Sequence, residues 1–327
     1  MKSPIRLLCG FGLLALLSLA AHGQDEPRQW LEEMNRAVAR LNYKGVYLHI
    51  HNAKVEAMRI VHRSHEGEVT ERLIRLDGPR REIIRTQEEV TCVLPDKRQV
   101  IVERRKGKGA LFSILPAYSE GIDRYYEFRM LDEGRIIGYT TKIIAVRPKD
   151  EYRYGYRLWL DEKTAMPLKS QLRDGDGNVV EQILFAQIEM PEHIGEEEVR
   201  PDIPEGFKWF RADPRHRAGE ADQGGGWQAT SMPTGFALSD SKLTVMAGAK
   251  TPVEHLVYSD GVASVSVFVE MAGAKKGLKR GLRRVGSSHA FSTIVEGHQV
   301  TAIGEVPSVT VQLIGRSVGP RTLDARR

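Results

Sequence analysis

Apolar positions along the chain recur at two spacings, and each change of spacing marks a new element. Residues 7–19 form one nearly unbroken apolar run. From residue 26 the spacing turns helical. Trp30, Leu31, Met34, Val38 and Leu41 fall on one stripe behind Asp25, Glu26 and Pro27. Acids favour the positive end of a helix dipole, and proline suits a first turn whose amides have no internal acceptor. The pattern predicts an amphipathic helix over 26–41. At Tyr43 the period drops to two, with Val46, Leu48 and Ile50 alternating with Tyr47, His49 and His51. Similar runs at 55–63, 69–76, 80–86, 89–94 and 98–104 are separated mostly by Gly, Pro, Asp or charged turns. Connections this short force antiparallel pairing, because a parallel crossover needs a dozen or more residues. Residues 107–130 are looser, with a short helix expected at 122–128. Strands are predicted again at 135–146, 152–160, 166–173 and 179–190, the last two closed into a hairpin by Asp174–Asn178.

The composition shifts after Pro201. Residues 212–226 hold no large apolar side chain and end in three glycines, which reads as a flexible linker over 206–226. Beyond Trp227 the two-residue period returns. Residues 256–258, the turn Ser259-Asp260-Gly261 and residues 262–270 predict a hairpin in which Val265, Val267 and Val269 share a face. Strands near 289–295 and 298–304 follow. Pro307 then opens a closing helix with Val309, Leu313 and Val318 spaced for one face. The division is therefore a leader at 1–23, a large domain at 24–205, the linker, a small domain at 227–318 and a polar tail at 319–327. The fold class is α+β, mostly antiparallel β.

The first apolar run, with Lys2 and Arg6 before it and the small residues Ala21 and Gly23 after it, is a secretory signal, too short to span a bilayer. Leu8 stands where lipidation of Cys9 would need a small residue. Export is the expectation, with the mature chain starting near Gln24. The full 327-residue chain carries a formal charge of +5, and removing Lys2 and Arg6 leaves +3. That balance gives no reason to expect nucleic acid as a partner. Cys92 alone remains after processing, so an intramolecular disulfide is impossible and the core must hold the fold.

Little in the sequence points to catalysis. Asp174-Gly175-Asp176-Gly177-Asn178 resembles the start of a calcium loop, but Val179 and Phe185 occupy the positions that require glycine and a bidentate glutamate. A turn is the better reading. His49 and His51 share a strand face, and His62 and His65 fall on the predicted neighbour. No cysteine or clustered carboxylate completes a ligand set in the sequence, so they are read as surface or groove-edge histidines, with no metal and no cofactor expected. No nucleophile elbow, zinc helix or phosphate loop is present. Flanked by Thr91 and Val93, Cys92 suits a buried inert thiol. Two features invite binding instead. Lys275, Lys276, Lys279, Arg280, Arg283 and Arg284 crowd into ten residues, a solvated loop or a docking site for an anionic partner. Tyr152, Tyr154, Tyr156, Leu158 and Leu160 form a stripe. With Val46, Leu48 and Ile50, the tyrosines are candidates to line a groove for an acyl chain, the alternative being an ordinary core face.

Several stretches, taken together, resemble the RseB/MucB family. They are residues 43–47 (YKGVY), 72–81 (RLIRLDGPRR), 91–96 (TCVLPD), 148–161 (PKDEYRYGYRLWLD), 166–170 (MPLKS), Trp227 with Pro233-Thr234-Gly235-Phe236, 255–270, and 297–318 (GHQVTAIGEVPSVTVQLIGRSV). They run in order through nearly all of the mature chain. The resemblance implies a lipoprotein-carrier-like open half-barrel with helices in its concavity, followed by a small sheet-and-helix domain. It also implies a periplasmic protein that binds the periplasmic part of a membrane-spanning anti-sigma factor. Bound there, it would shield that factor from regulated proteolysis and restrain the envelope-stress response until lipid or lipopolysaccharide signals release it. A lipid or lipoprotein carrier is the alternative, and a periplasmic hydrolase using His49 or His62 is a third class. Self-association is left open.

Overall fold

The computed structural model describes residues 19–104, 116, 121–212, 226–244, 252–272 and 280–321, with side chains from residue 26. Nearly all of the leader lies outside these residues, as do the three lysines of the basic cluster, Lys275, Lys276 and Lys279. Among the described residues no helix is long and apolar enough to cross a membrane.

The first domain is one sheet of twelve strands carrying a helix on one face. Helix α1 (Leu19–Arg40) is followed by β1 (Tyr43–His51), β2 (Lys54–His65), β3 (Glu68–Arg75), β4 (Glu82–Arg85), β5 (Glu89–Leu94) and β6 (Gln99–Arg104). Then come β7 (Tyr126–Ile136), β8 (Tyr139–Pro148), β9 (Gly155–Asp161), β10 (Pro167–Arg173), β11 (Val179–Glu189), a short α2 (Glu196–Val199) and β12 (Lys208–Ala212). The sheet order is β12-β6-β5-β4-β3-β2-β1-β11-β10-β9-β8-β7, two antiparallel meanders fused where β1 meets β11. Among the described residues the two edge strands do not pair with each other, so the sheet stays open. Leu31, Met34 and Val38 of α1 bury their apolar stripe against Tyr43, Tyr47, Leu73, Leu158 and Phe185 on the inner face. Fully burying one such side chain contributes about 1.5–3 kcal/mol.

The second domain is a six-stranded sheet ordered β14-β15-β16-β19-β18-β17. Its strands are β14 (Ala237–Thr244), β15 (Val253–Ser259), β16 (Ser264–Met271), β17 (Gly281–Val285), β18 (Ser288–Val295) and β19 (His298–Gly304). Helix α3 (Ser308–Ser317) covers one face. A two-stranded ribbon joins β13 (Trp227–Ala229) to β20 (Val318–Pro320). Val265, Val267 and Val269 are buried as the alternation predicted, against Val311 and Ile314 of the helix.

The structure departs from the predicted elements at places where the local pattern misleads. Helix α1 is already formed at Leu19, the first described residue, so Pro27 lies inside it rather than in its first turn. The strand expected at 135–146 is the end of β7, a two-residue turn and the start of β8. The turn is Ile137-Gly138, both with positive φ, the geometry of a tight hairpin. The apolar Ile136-Ile137 pair hid it. The helix expected at 122–128 is a single turn, Ile122–Arg124, because Tyr126 already enters β7. The tyrosine strand starts at Gly155, three residues later than predicted. Residues 208–212, placed in the flexible linker, form β12 and add in parallel to β6. There Trp209 and Phe210 remain about half exposed. The tail was expected from 319, but Val318–Pro320 pairs with Trp227–Ala229. Helix α3 buries Thr310, Val311, Ile314 and Gly315 rather than the predicted Val309 and Leu313. Those two line a shallow surface cleft with Ser231, Gln312, Arg316 and Ser317. Cys92, predicted buried, is half-buried on β5.

Candidate functional site

The two domains meet along a seam built from polar groups that neither domain satisfies alone. Its centre is Arg153, in the connection that brings the chain from β8 to β9. The Asp150 carboxylate folds this connection by accepting the Tyr152 amide at 3.0 Å. Arg153 itself is only 1% exposed. A buried guanidinium is tolerated only when its donors are used. Here Nε donates to Asp260 Oδ2 at 2.5 Å, Nη1 to Asp150, and Nη2 to the Thr234 carbonyl. Three rings surround the cation, Tyr125 at 4.9 Å, Phe236 at 5.1 Å and Tyr126 at 5.8 Å from Cζ. Burial disfavours the charge, but Asp260 and Asp150 outweigh it and hold the guanidinium above its ordinary pKa.

Asp260 serves both sides of the seam. Its Oδ1 accepts the Val262 and Ala263 amides at 2.9 and 2.7 Å, which forms the β15–β16 turn. Its Oδ2 takes Arg153 and the Tyr126 hydroxyl, the latter at 3.0 Å. Burial and the Asp260 charge push the Tyr126 phenol far above its usual range, so it stays a donor. Thr234-Gly235-Phe236 approaches from the small domain. Gly235 has φ +93°, and a Cβ there would sit 2.5 Å from the Tyr125 ring. From α3, the Thr310 hydroxyl donates to the Tyr152 carbonyl at 2.7 Å.

A second contact lies beside the β1–β2 hairpin. Asn52, at the hairpin tip, donates to the Gly286 carbonyl at 2.5 Å. Next to it Ser287 donates to Glu305 at 2.6 Å, and Glu181 of the large sheet faces the same carboxyl. Burial and the Glu181 charge push the Glu305 carboxyl up. Burial also opposes ionisation of Glu181, but His49 and Ser287 outweigh it and hold that carboxyl below its usual value. The Glu181 carboxylate in turn raises the His49 imidazole. Tyr154 Oη lies 3.3 Å from His289 Nδ1 across the same seam.

The predicted groove residues do not share a surface. Register links Tyr156 to Leu172, Leu172 to Glu181 and Glu181 to His51, all on the inner face. Leu48 and Ile50 pair with Leu184 and Gln182 and point to the other face. Val46 precedes a register shift at Tyr47 and is likewise half-buried off the core. Tyr152 and Tyr154 precede β9. Tyr154 packs on Leu172 and Val180, while the Tyr152 backbone carries the Thr310 bond. Of the basic cluster, Arg280, Arg283 and Arg284 are exposed on or beside β17, an edge strand. Cations on an edge strand also discourage pairing with other chains.

The histidines separate into two environments. His62 is fully buried and stacked on Tyr43 at 4.5 Å, with Nδ1 2.8 Å from the Leu41 carbonyl. Burial pushes its pKa down to about 4. It lies opposite Tyr43, six positions along β1 from His49, or about 20 Å at strand rise. His65 is exposed. His49 and His51 instead converge with Glu56 at the seam.

Sequence reasoning missed Arg153, Asp260, Glu181 and Glu305. Asp260 reads as an ordinary turn residue, and it and Arg153 find each other across more than a hundred residues.

Comparison with known proteins matches two parts of the chain separately. Residues 26–203 match the family model for the MucB/RseB N-terminal domain, and residues 220–319 match that for the MucB/RseB C-terminal domain. The sigma factor AlgU regulatory protein MucB of Pseudomonas aeruginosa is 28% identical over 310 residues, covering 94% of this chain and 95% of its own. The sigma-E factor regulatory protein RseB of Salmonella typhimurium is 27% identical, covering 93% and 94%. Among solved structures, the P. aeruginosa MucA/MucB complex superposes with a TM-score of 0.70 at 25% identity, over 91% of this chain and 99% of that one. A crystal structure of MucB with MucA(peri) gives 0.68 at 25% identity, over 90% and 98%.

Proposed function

The chain belongs to the MucB/RseB family, and from that membership we propose that it is a periplasmic regulator of an envelope-stress sigma factor. It binds the periplasmic part of a membrane-spanning anti-sigma factor, and it acts by binding rather than by catalysis. The observation that carries this reading is the match of both domains, in order, to a MucB solved in complex with MucA. A bound segment that is disordered when free buries its own backbone. Proteolysis needs an open chain, so binding suppresses cleavage by mass action.

Release by a lipid or lipopolysaccharide signal belongs to the same proposal. Its support is the open sheet, whose inner face leaves Met58, Ile83, Phe128 and Met130 only half-buried beside α1. A lipid bound there releases the partner only if it favours a domain arrangement that holds the segment less well. Tight binding to both arrangements shifts nothing. The seam at Arg153 is the element whose closure such a ligand would have to oppose. A simple carrier needs the groove alone and has no use for a second domain joined through a buried ion pair.

The test is a pull-down of the mature chain with the periplasmic segments of the anti-sigma factors from the same genome, repeated with lipid. Saturable binding that protects the segment from cleavage and weakens with lipid is the expected result. No binding to any such segment, with acyl chains retained and passed to acceptor membranes, would overturn the regulator in favour of a carrier.

A further inference from the structure

We propose that the seam end of the β1–β2 hairpin is a binding site for a divalent transition-metal ion of the class that takes imidazole and carboxylate ligands, Zn2+ being the probe of choice. The argument starts from backbone register. His49 lies opposite Glu56 on β2, and His51 lies opposite Glu181 on β11. Directly opposed residues point to the same side of a sheet. His49 and His51, two apart on one strand, share that side as well. Four donor side chains are thus placed on one face by pairing alone.

Side-chain geometry agrees. One donor atom each from His49, His51 and Glu56 lies within 4.8 Å of the others. The two imidazole rings are 4.8 Å apart at their centroids. His51 Nδ1 is a buried atom without a hydrogen-bond partner in the structure, and buried His49 Nε2 faces only the Glu181 carboxylate. Buried polar atoms ordinarily find partners. The unpartnered His51 nitrogen, beside a His49 nitrogen that already meets a carboxylate, marks a place where one ion would join all three. Glu181 Oε2 stands 3.3 Å from His49 Nε2, close to the ligand–ligand edge of about 3.3–3.5 Å that a tetrahedral zinc site requires. The remaining closure, from 4.8 Å, needs only side-chain rotation at a half-exposed hairpin end.

Two cations compete for the site and limit its affinity. Arg75 Nη2 holds Glu56 Oε1 at 2.5 Å, leaving Oε2 for the metal, and Lys54 lies across the strand pair from His51. The absence of a thiol from the set and its mixed nitrogen and oxygen donors favour Zn2+, Ni2+ or Cu2+ over Cu+ or Mg2+. The site also lies under the small domain. A Cβ on Gly286 would sit 4.0 Å from His51 Nδ1, and Asn52 already bonds the Gly286 carbonyl. An ion here stiffens the hairpin against the β17–β18 turn, independently of any bound partner.

The experiment is calorimetric titration of the chelator-treated mature chain with Zn2+, with Co2+ absorption as a second readout of coordination geometry. One equivalent should bind. H49A and H51A should each weaken binding beyond the roughly 10–100-fold that loss of an outer partner costs. H65A, which alters the exposed His65–His193 pair, should leave binding unchanged. E56Q, nearly isosteric, should weaken binding and guards against misfolding of the histidine variants. Absence of saturable binding, survival of full affinity in H51A, or equal loss in H65A would overturn the site.

Discussion

Replacing Asp260 by asparagine changes one charge at the seam and almost nothing in shape. The asparagine Oδ1 still accepts the Val262 and Ala263 amides, so the β15–β16 turn survives. On the other side an amide NH2 now faces the Arg153 Nε, donor against donor, and the Tyr126 hydroxyl must turn from donating to accepting. At an effective dielectric of about 20, two unit charges about 4 Å apart attract by roughly 4 kcal/mol. Breaking a buried pair by removing one partner costs about 3–5 kcal/mol. Asp150 and the Thr234 carbonyl still hold Arg153, which places D260N near the lower end, about 3 kcal/mol. R153M should cost less, about 2 kcal/mol, because Asp260 keeps three donors. The double variant should recover about 2 kcal/mol relative to the sum. Urea unfolding of the mature chain, followed by one probe in each domain, measures the cycle. In D260N, hydrogen exchange should speed up at 152–155 and 234–236 while β16 stays protected. Additivity within about 0.5 kcal/mol would refute the reasoning, since the pair would then contribute nothing beyond each residue's own packing.

Other expectations follow from the same geometry. His62 is buried and neutral, its pKa pushed down to about 4 from an ordinary 6.5. A histidine depressed in the folded state leaves stability intact above pH 6.5. Stability is then lost as the unfolded chain takes up a proton between pH 6.5 and about 4, at about 1.4 kcal/mol per pH unit. H62Q should flatten that slope in denaturation measured from pH 7 to 4, and an unchanged slope would assign it to other groups. G235A places a side chain at φ +93° against the Tyr125 ring. It should cost at least the roughly 1–2 kcal/mol of left-handed strain and should loosen the same seam amides as D260N by hydrogen exchange. I314A removes a fully buried side chain between α3 and its sheet. The small domain should lose about 2–5 kcal/mol with little change in the large one, readable by domain-specific probes. A crosslink between the domains across the seam should abolish lipid-driven release of the partner. Release that persists with the domains fixed would remove the seam from the mechanism.

The outline of this molecule was legible because its strands are local. β1 to β6 and β14 to β16 each pair with a sequence neighbour, so alternation and turn residues sufficed to find most of them. The Asp174 hairpin closes as expected, with Asp174 accepting the Asp176 and Asn178 amides. Legibility failed where a pairing was distant or a turn lacked its usual residues. β12 joins β6 across more than a hundred residues, and Ile137 sits in a position normally taken by glycine or asparagine.

The same limit governs the sites. Period-two alternation shows that Val46, Leu48 and Ile50 share one face of a strand, and that His49 and His51 share the other. It cannot say which face meets the core, nor which residues of a distant strand stand opposite. The sequence by itself determined the antiparallel class and the family. Tertiary structure alone decided that Tyr156 and the β1 aliphatics lie on opposite faces. It also brought Arg153 to Asp260, and Glu56 and Glu181 to the histidines. Local preference acts over a few residues, whereas these partnerships are fixed by sheet register and domain docking, which depend on the whole core at once.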